Sequence, residues 1–114
     1  KRLKLKRELA KEYSRTMNMI NEIEFVNEPE GCCSNYWLSS LRFTTSDSYE
    51  AYKQRLNLLE RANEIGLLLR PVWKLLNKLP MYAGAPSGKL TVAEDLANRV
   101  INLPSSPQLR INAK

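Results

Sequence analysis

A chain of 114 residues, 43% hydrophobic and 26% charged, has the composition of one small globular domain that can bury a modest core. It has no histidine, the commonest general base and metal ligand, and its two cysteines, Cys32 and Cys33, are adjacent, a spacing that fits neither a C-x-x-C redox site nor a four-ligand zinc site. The net charge of +6 suggests nucleic acid, but five of the 18 basic residues crowd into Lys1 to Arg7 and the others are scattered among acids, with no zinc-finger, homeodomain or RNA-recognition signature, so no nucleic-acid partner is expected.

Lys1 to about Ile20 reads as a helix, because Leu5, Leu9, Tyr13, Thr16 and Ile20 recur at three-to-four spacing and Met17 widens the stripe. Lys4, Lys6, Arg7, Lys11 and Arg15 fall on its other faces. Ile23 to Asn27 is a short strand candidate, followed by a turn at Glu28 to Gly31. The best strand is 35–43, with Trp37, Leu41 and Phe43 on one face and Tyr36, Leu38 and Arg42 on the other. Asp47 is placed to cap a helix over 47–65, with Glu50 three residues on. Its stripe is Tyr52, Leu56, Leu59 and Ala62, broadened by Tyr49, Leu58 and Ile65, and Gly66 stands where a left-handed C-cap belongs. Leu67 to Arg70 follows as a brief buried strand. Thr91 and Glu94 have capping-box spacing and open a last helix over 91–101, which Asn102 to Pro104 end. Strands and helices in this order predict an α+β fold: a small, mostly antiparallel sheet with flanking helices.

Two runs break these periodicities. Arg70 to Tyr82, RPVWKLLNKLPMY, sets Arg70, Trp73, Lys74, Asn77 and Tyr82 among apolar residues, and Pro71 and Pro80 prevent one continuous helix. NLPSS, at 102–106, is the second. A rigid irregular loop carrying cations and aromatics suits a polyanionic small ligand. Ala83 to Lys89, AGAPSGK, falls one residue short of the phosphate-loop spacing between its glycines and is rejected as one. Glu22, Glu24, Glu28 and Glu30 read as a solvated edge. With no histidine there is no serine or cysteine triad. By residue types alone the chain is a binding or completing domain.

No apolar run approaches the ~20 residues that span a bilayer and no secretory signal stands at the start. A cytoplasmic location without a membrane partner is therefore expected. The start at Lys1 rather than methionine is what a piece of a larger protein would have.

The string RPVWKLLNKLPMYAGAPSGKLTVAEDLANRVINLPSS, with EPEGCCSNYWLSSLRF before it, resembles the C-terminal part of the DegT/DnrJ/EryC1/StrS sugar aminotransferases, and within them the branch of legionaminic-acid-type pathways. That resemblance covers nearly the whole chain. It implies the small C-terminal domain of the aspartate aminotransferase fold over 23–114, with 1–22 as a linking helix from a large domain upstream. The stripe of Leu5, Leu9, Tyr13 and Ile20 is then expected to face that missing domain. It also implies pyridoxal phosphate in the intact protein, with the cofactor-bonding lysine in the large domain and none among the nine lysines here. A nucleotide-linked keto-sugar substrate, a homodimer and an isolated piece without activity follow in the same way. Carried over residue by residue, Arg70, Trp73 and Lys74 match the Arg-Pro-x-Trp-x segment near the sugar-nucleotide site, and Tyr82 the aromatic that closes it. Asn35 and Tyr36 match the Ser-Asn-Tyr run. Asn77 stands where the family often has histidine and cannot carry a proton at neutral pH. The other reading is a stand-alone α+β binding module with a basic helix.

Overall fold

The computed structural model describes residues 1–111, and the side chains of Arg110 and Ile111 are left aside. Helix α1 spans Arg2–Met17, β1 Ile23–Phe25, β2 Ser39–Phe43 and α2 Ser48–Glu64. After β3, Arg70–Pro71, come two short 3₁₀ turns at Leu76–Lys78 and Pro80–Tyr82. Helix α3, Thr91–Arg99, runs directly into β4, Val100–Leu103, and α4 is Gln108–Ile111. The fold is α+β, with one antiparallel sheet in the order β1-β2-β4-β3.

Strand β4 lies inside that sheet and was not foreseen. Residues 100–101 were expected to finish the last helix, and nothing in VINL breaks a helical pattern. Tertiary pairing decides it: Leu41 faces Ile101 and Ser39 faces Leu103 across β2, while Arg70 faces Asn102 across β3. Ile101, Asn102 and Leu103 are all buried, as a strand between two neighbours should be. Proline at β3 is tolerable because β3 is an edge strand, where a missing N–H breaks no ladder on the open side. The expected strand at 67–70 therefore starts later, and of Leu67, Leu68 and Leu69 only Leu69 is buried.

The strand expected over 35–43 begins only at Ser39. Tyr36 takes a left-handed backbone, φ 44°, which no extended strand can contain. The buried face of β2 is thus Ser39, Leu41 and Phe43, and Trp37 stands outside it.

One core holds the molecule together. Phe25, Leu41, Phe43, Ile101 and Leu103 of the sheet meet Ala10 of α1 and Ala51 and Ala62 of α2. Leu41 and Ile101 are its largest fully buried apolar side chains. The inward stripe of α2 is Ala51, Arg55, Leu58, Leu59 and Ala62, rotated from the expected one, and Leu56 is exposed. Small alanines let the helix approach the sheet. Asp47 caps α2 as read from the sequence, accepting from Glu50 N at 2.8 Å, and Gly66 has φ 76° beyond its end. Thr91 is instead the first residue of α3, with Leu90 at the cap and no side-chain cap bond.

The stripe of α1 closes this same core. Leu9 and Ala10 are buried, and Tyr13 and Met17 pack on the cluster, while Ile20 lies beyond the helix and is exposed. Leu9 and Tyr13 are therefore used within the chain, which corrects the expectation that these two positions turn toward another domain. The reason is the sheet: Phe25 offers Tyr13 a stacking partner at 6.3 Å.

Candidate functional site

The two aperiodic runs come together. Arg70, Pro71 and Trp73 from the β3 segment and Asn102 to Ser105 from the end of β4 line one cleft of about 340 Å³, with Trp37, Leu38 and Leu68 completing it. The β3–β4 pairing is what joins them, since Arg70 sits opposite Asn102. The side chain of Asn102 is buried and fixed twice: its Oδ1 accepts from Ser40 Oγ at 2.7 Å and its Nδ2 donates to the Pro71 carbonyl at 3.4 Å.

Trp37 is the member that sequence reasoning left outside the site. Its ring lies 6.2 Å from that of Trp73, at 35°, and both are largely exposed, at 68% and 71%. Two tryptophans left in water beside an arginine form a broad apolar and cationic surface rather than a piece of core. Asn35 acts on this surface indirectly, its Oδ1 accepting from Trp37 N at 2.9 Å, a local turn that sets where Trp37 emerges.

Helix α1 fixes the floor. Lys6 Nζ donates to the carbonyls of Trp37, at 3.0 Å, and Ser105, at 2.8 Å, so one ammonium ties both loops together. Tyr13 Oη donates to the Pro104 carbonyl at 2.9 Å, and burial pushes its pKa up. Ser105 Oγ accepts from Ser39 N and donates to the Leu103 carbonyl. The periodicity places Lys6 only off the apolar stripe, and no local pattern reveals bonds to residues so distant in sequence.

Tyr36 is turned away from the cleft. It packs against Phe25, with ring centroids 6.1 Å apart, and its Oη accepts from Glu28 N. The Arg7 guanidinium lies 5.7 Å above its ring and makes paired bonds to Glu28 of 3.0 and 2.6 Å. Glu28 also accepts from Ser34 N. The Arg7 bond first, then the Ser34 N–H, holds the Glu28 carboxyl below its ordinary pKa, and Glu28 in turn raises that of Arg7. Glu28 is thus a loop anchor, not one of a row of solvated acids.

The remaining candidates separate. Asn77 and Tyr82 share a more apolar cleft of about 440 Å³ with Leu75, Leu76 and Leu90, and Asn77 Oδ1 is buried there without a hydrogen-bond partner. Lys74 is exposed on another cleft, across Trp73 from the first. Arg70, Trp73, Lys74, Asn77 and Tyr82 therefore lie along three adjoining hollows rather than in one. No group of three or more histidine, cysteine, aspartate or glutamate side chains could hold a metal among the described residues, and no helix there is long and apolar enough to cross a membrane.

This α+β unit is a known one. It superposes on an aminotransferase, TlmJ, from Streptoalloteichus hindustanus with a TM-score of 0.77, at 20% identity, covering 93% of this chain and 27% of that one. The chain matches the model of the DegT/DnrJ/EryC1/StrS aminotransferase family over residues 1–113, and it belongs to that family. It is similar to GDP-perosamine synthase of Escherichia coli O157:H7, with 32% identity over 106 residues, 91% of this chain and 26% of the relative. The chain spans about a quarter of the length of each of these two relatives.

Proposed function

We propose that this chain is the C-terminal small domain of a pyridoxal-phosphate-dependent aminotransferase that aminates a nucleotide-linked keto-deoxysugar, with glutamate as amino donor. The branch proposed is that of legionaminic-acid-type pathways. Residues 1–22 would be the linking helix and 23–114 the domain itself, within a homodimer whose large domain lies outside this chain. Family membership supports aminotransfer, and the name of the GDP-perosamine relative supports a sugar carried on a nucleotide.

The residues present do not fit the cofactor as a resident of this chain. Lysine is needed to bond it, and no described lysine is buried; Lys6, the most enclosed in its bonding, is committed to two carbonyls. The cofactor would be held by the rest of the protein and would supply the electron sink there. This chain alone would then lack activity and contribute recognition.

The observation that carries the reading is the cleft between the Arg70–Trp73 run and the Asn102–Ser105 run. Arg70 is exposed beside two tryptophan rings. Its guanidinium can grip a diphosphate in a bidentate way, and Trp37 and Trp73 can cover the flat apolar faces of a sugar or base. Asn77 and Tyr82, in the hollow that adjoins the Lys74 cleft at Leu75, would read hydroxyls. In the intact protein, Arg70→Ala should slow amination of the sugar by ten- to a hundredfold, on the order of the 1.5–3 kcal/mol of a charge-assisted hydrogen bond. Amino-group uptake from glutamate should be unchanged. Equal loss in both half-reactions would reject the assignment of Arg70 to the sugar nucleotide.

A further inference from the structure

Across the ridge formed by Pro71 and Trp73 lies a second, larger cleft of about 710 Å³. Its charged lining comes from α2, the segment after β3, and α3: Arg55, Lys74, Lys78 and Glu94, three cations to one carboxylate. Glu94 is already paired with Lys78 at 2.9 Å, so Arg55 and Lys74 remain without a carboxylate among the described residues.

Arg55 is the unusual member. It is 8% exposed, in the middle of the inward face of α2. Its Nε is buried with no hydrogen-bond partner. Its guanidinium is held over the Tyr52 ring at 5.2 Å, which fixes its position but satisfies no donor in the plane of the group. Arginine is almost never buried unless paired, and an orphaned buried donor is destabilising. A buried arginine that forms part of a cleft wall, with a free lysine on the same cleft, has the complement of a planar or tetrahedral oxyanion.

We propose that this cleft is an oxyanion-binding site, taking a phosphate, diphosphate or carboxylate group between Arg55, Lys74 and Lys78. The site is separate from the Arg70 cleft and does not rest on the function proposed for it. The terminal nitrogens of Arg55, which unlike Nε are not closed off, supply the fixed donors, and burial makes the charge less screened than a surface one. Lys74 supplies a mobile charge. Glu94 limits affinity by holding Lys78 and by repelling the ligand.

The test is a titration of this chain followed by NMR of the arginine Nε–Hε groups, at physiological salt, with inorganic diphosphate in one arm and glutarate in the other. The Arg55 signal should shift and saturate, while that of exposed Arg15 does not. Saturation by diphosphate alone assigns the ligand group as phosphate, by glutarate alone as carboxylate, and either supports the site. Lys74→Gln should weaken binding at least threefold, and Glu94→Gln should strengthen it by a similar factor. Both positions are exposed, so these variants keep the test open if Arg55→Gln does not fold. An Arg55 signal that stays still in both arms, or that moves without saturating in step with Arg15, overturns the proposal. So does an affinity indifferent to both Lys74→Gln and Glu94→Gln.

Discussion

The sheet and the segment from Arg70 to Leu90 treat apolar residues in opposite ways. In the sheet, Leu41 and Ile101 are 2% and 0% exposed and face each other across a ladder. In the segment, Trp73, Leu76 and Met81 are 71%, 67% and 74% exposed, and order comes from two 3₁₀ turns rather than from burial. Apolar surface removed from water stabilises a fold by roughly 25 cal/mol per Å², so the sheet holds the molecule and the segment contributes little of its own. What the segment does instead is present side chains. Its position is set by the one edge pairing of β3 with β4 and by the Asn102 side chain. Buried and exposed apolar surface are thus divided between the sheet and the segment.

The division can be broken first at the core. Ile101→Ala should cost about 2–5 kcal/mol, read as a lower urea midpoint with little change in slope. A cost below about 1 kcal/mol would mean that β4 is not the central strand of the core.

The next effect concerns the loop that carries Trp37. Because Glu28 has a lowered pKa in the folded chain, its contribution is fully present above the ordinary carboxylate value and is lost as pH falls through the folded value. Stability of the wild-type chain should therefore fall over that acidic window by more than that of Glu28→Gln, which has no such proton to take up. Parallel pH profiles for the two would remove Glu28 from its anchoring role.

The smallest effect belongs to the segment. Trp73→Ala removes a large ring, yet the ring is mostly in water and touches Trp37 rather than the core. Its thermal midpoint should stay close to the wild-type value, with a loss within about 1 kcal/mol. A loss as large as that of Ile101→Ala would make Trp73 a core residue and erase the distinction.

This contrast also governs what could be read from the sequence. Helices α1, α2 and α3 were legible because their apolar periodicity and the Asp47 cap are local signals. Strand β4 was not, because VINL follows α3 without a breaker and is a strand only through its pairing with Leu41 and Arg42. The strand expected across 35–38 failed at one residue, Tyr36, whose left-handed backbone alternation does not reveal. In the site, RPVW and NLPSS stood out because they fit no period. Alternation puts Trp37 on a strand face, and periodicity puts Lys6 only off the apolar stripe. Their roles depend on Asn35 turning the backbone and on an ammonium reaching two distant carbonyls. Arg55 was passed over for the same reason: its lack of a partner exists only in three dimensions.

The central claim is that the cleft between Arg70 and the end of β4 receives a nucleotide-linked sugar. The chain has two tryptophans, Trp37 and Trp73, and both line that cleft; Trp73 also borders the Arg55 cleft, so the Arg70 variant is what assigns a fluorescence change to this place. Titrating this chain with GDP-mannose should change the tryptophan emission saturably. Free mannose should leave it unchanged, and Arg70→Ala should shift the midpoint at least tenfold. Emission that does not respond to GDP-mannose, or responds equally in Arg70→Ala, would contradict the account.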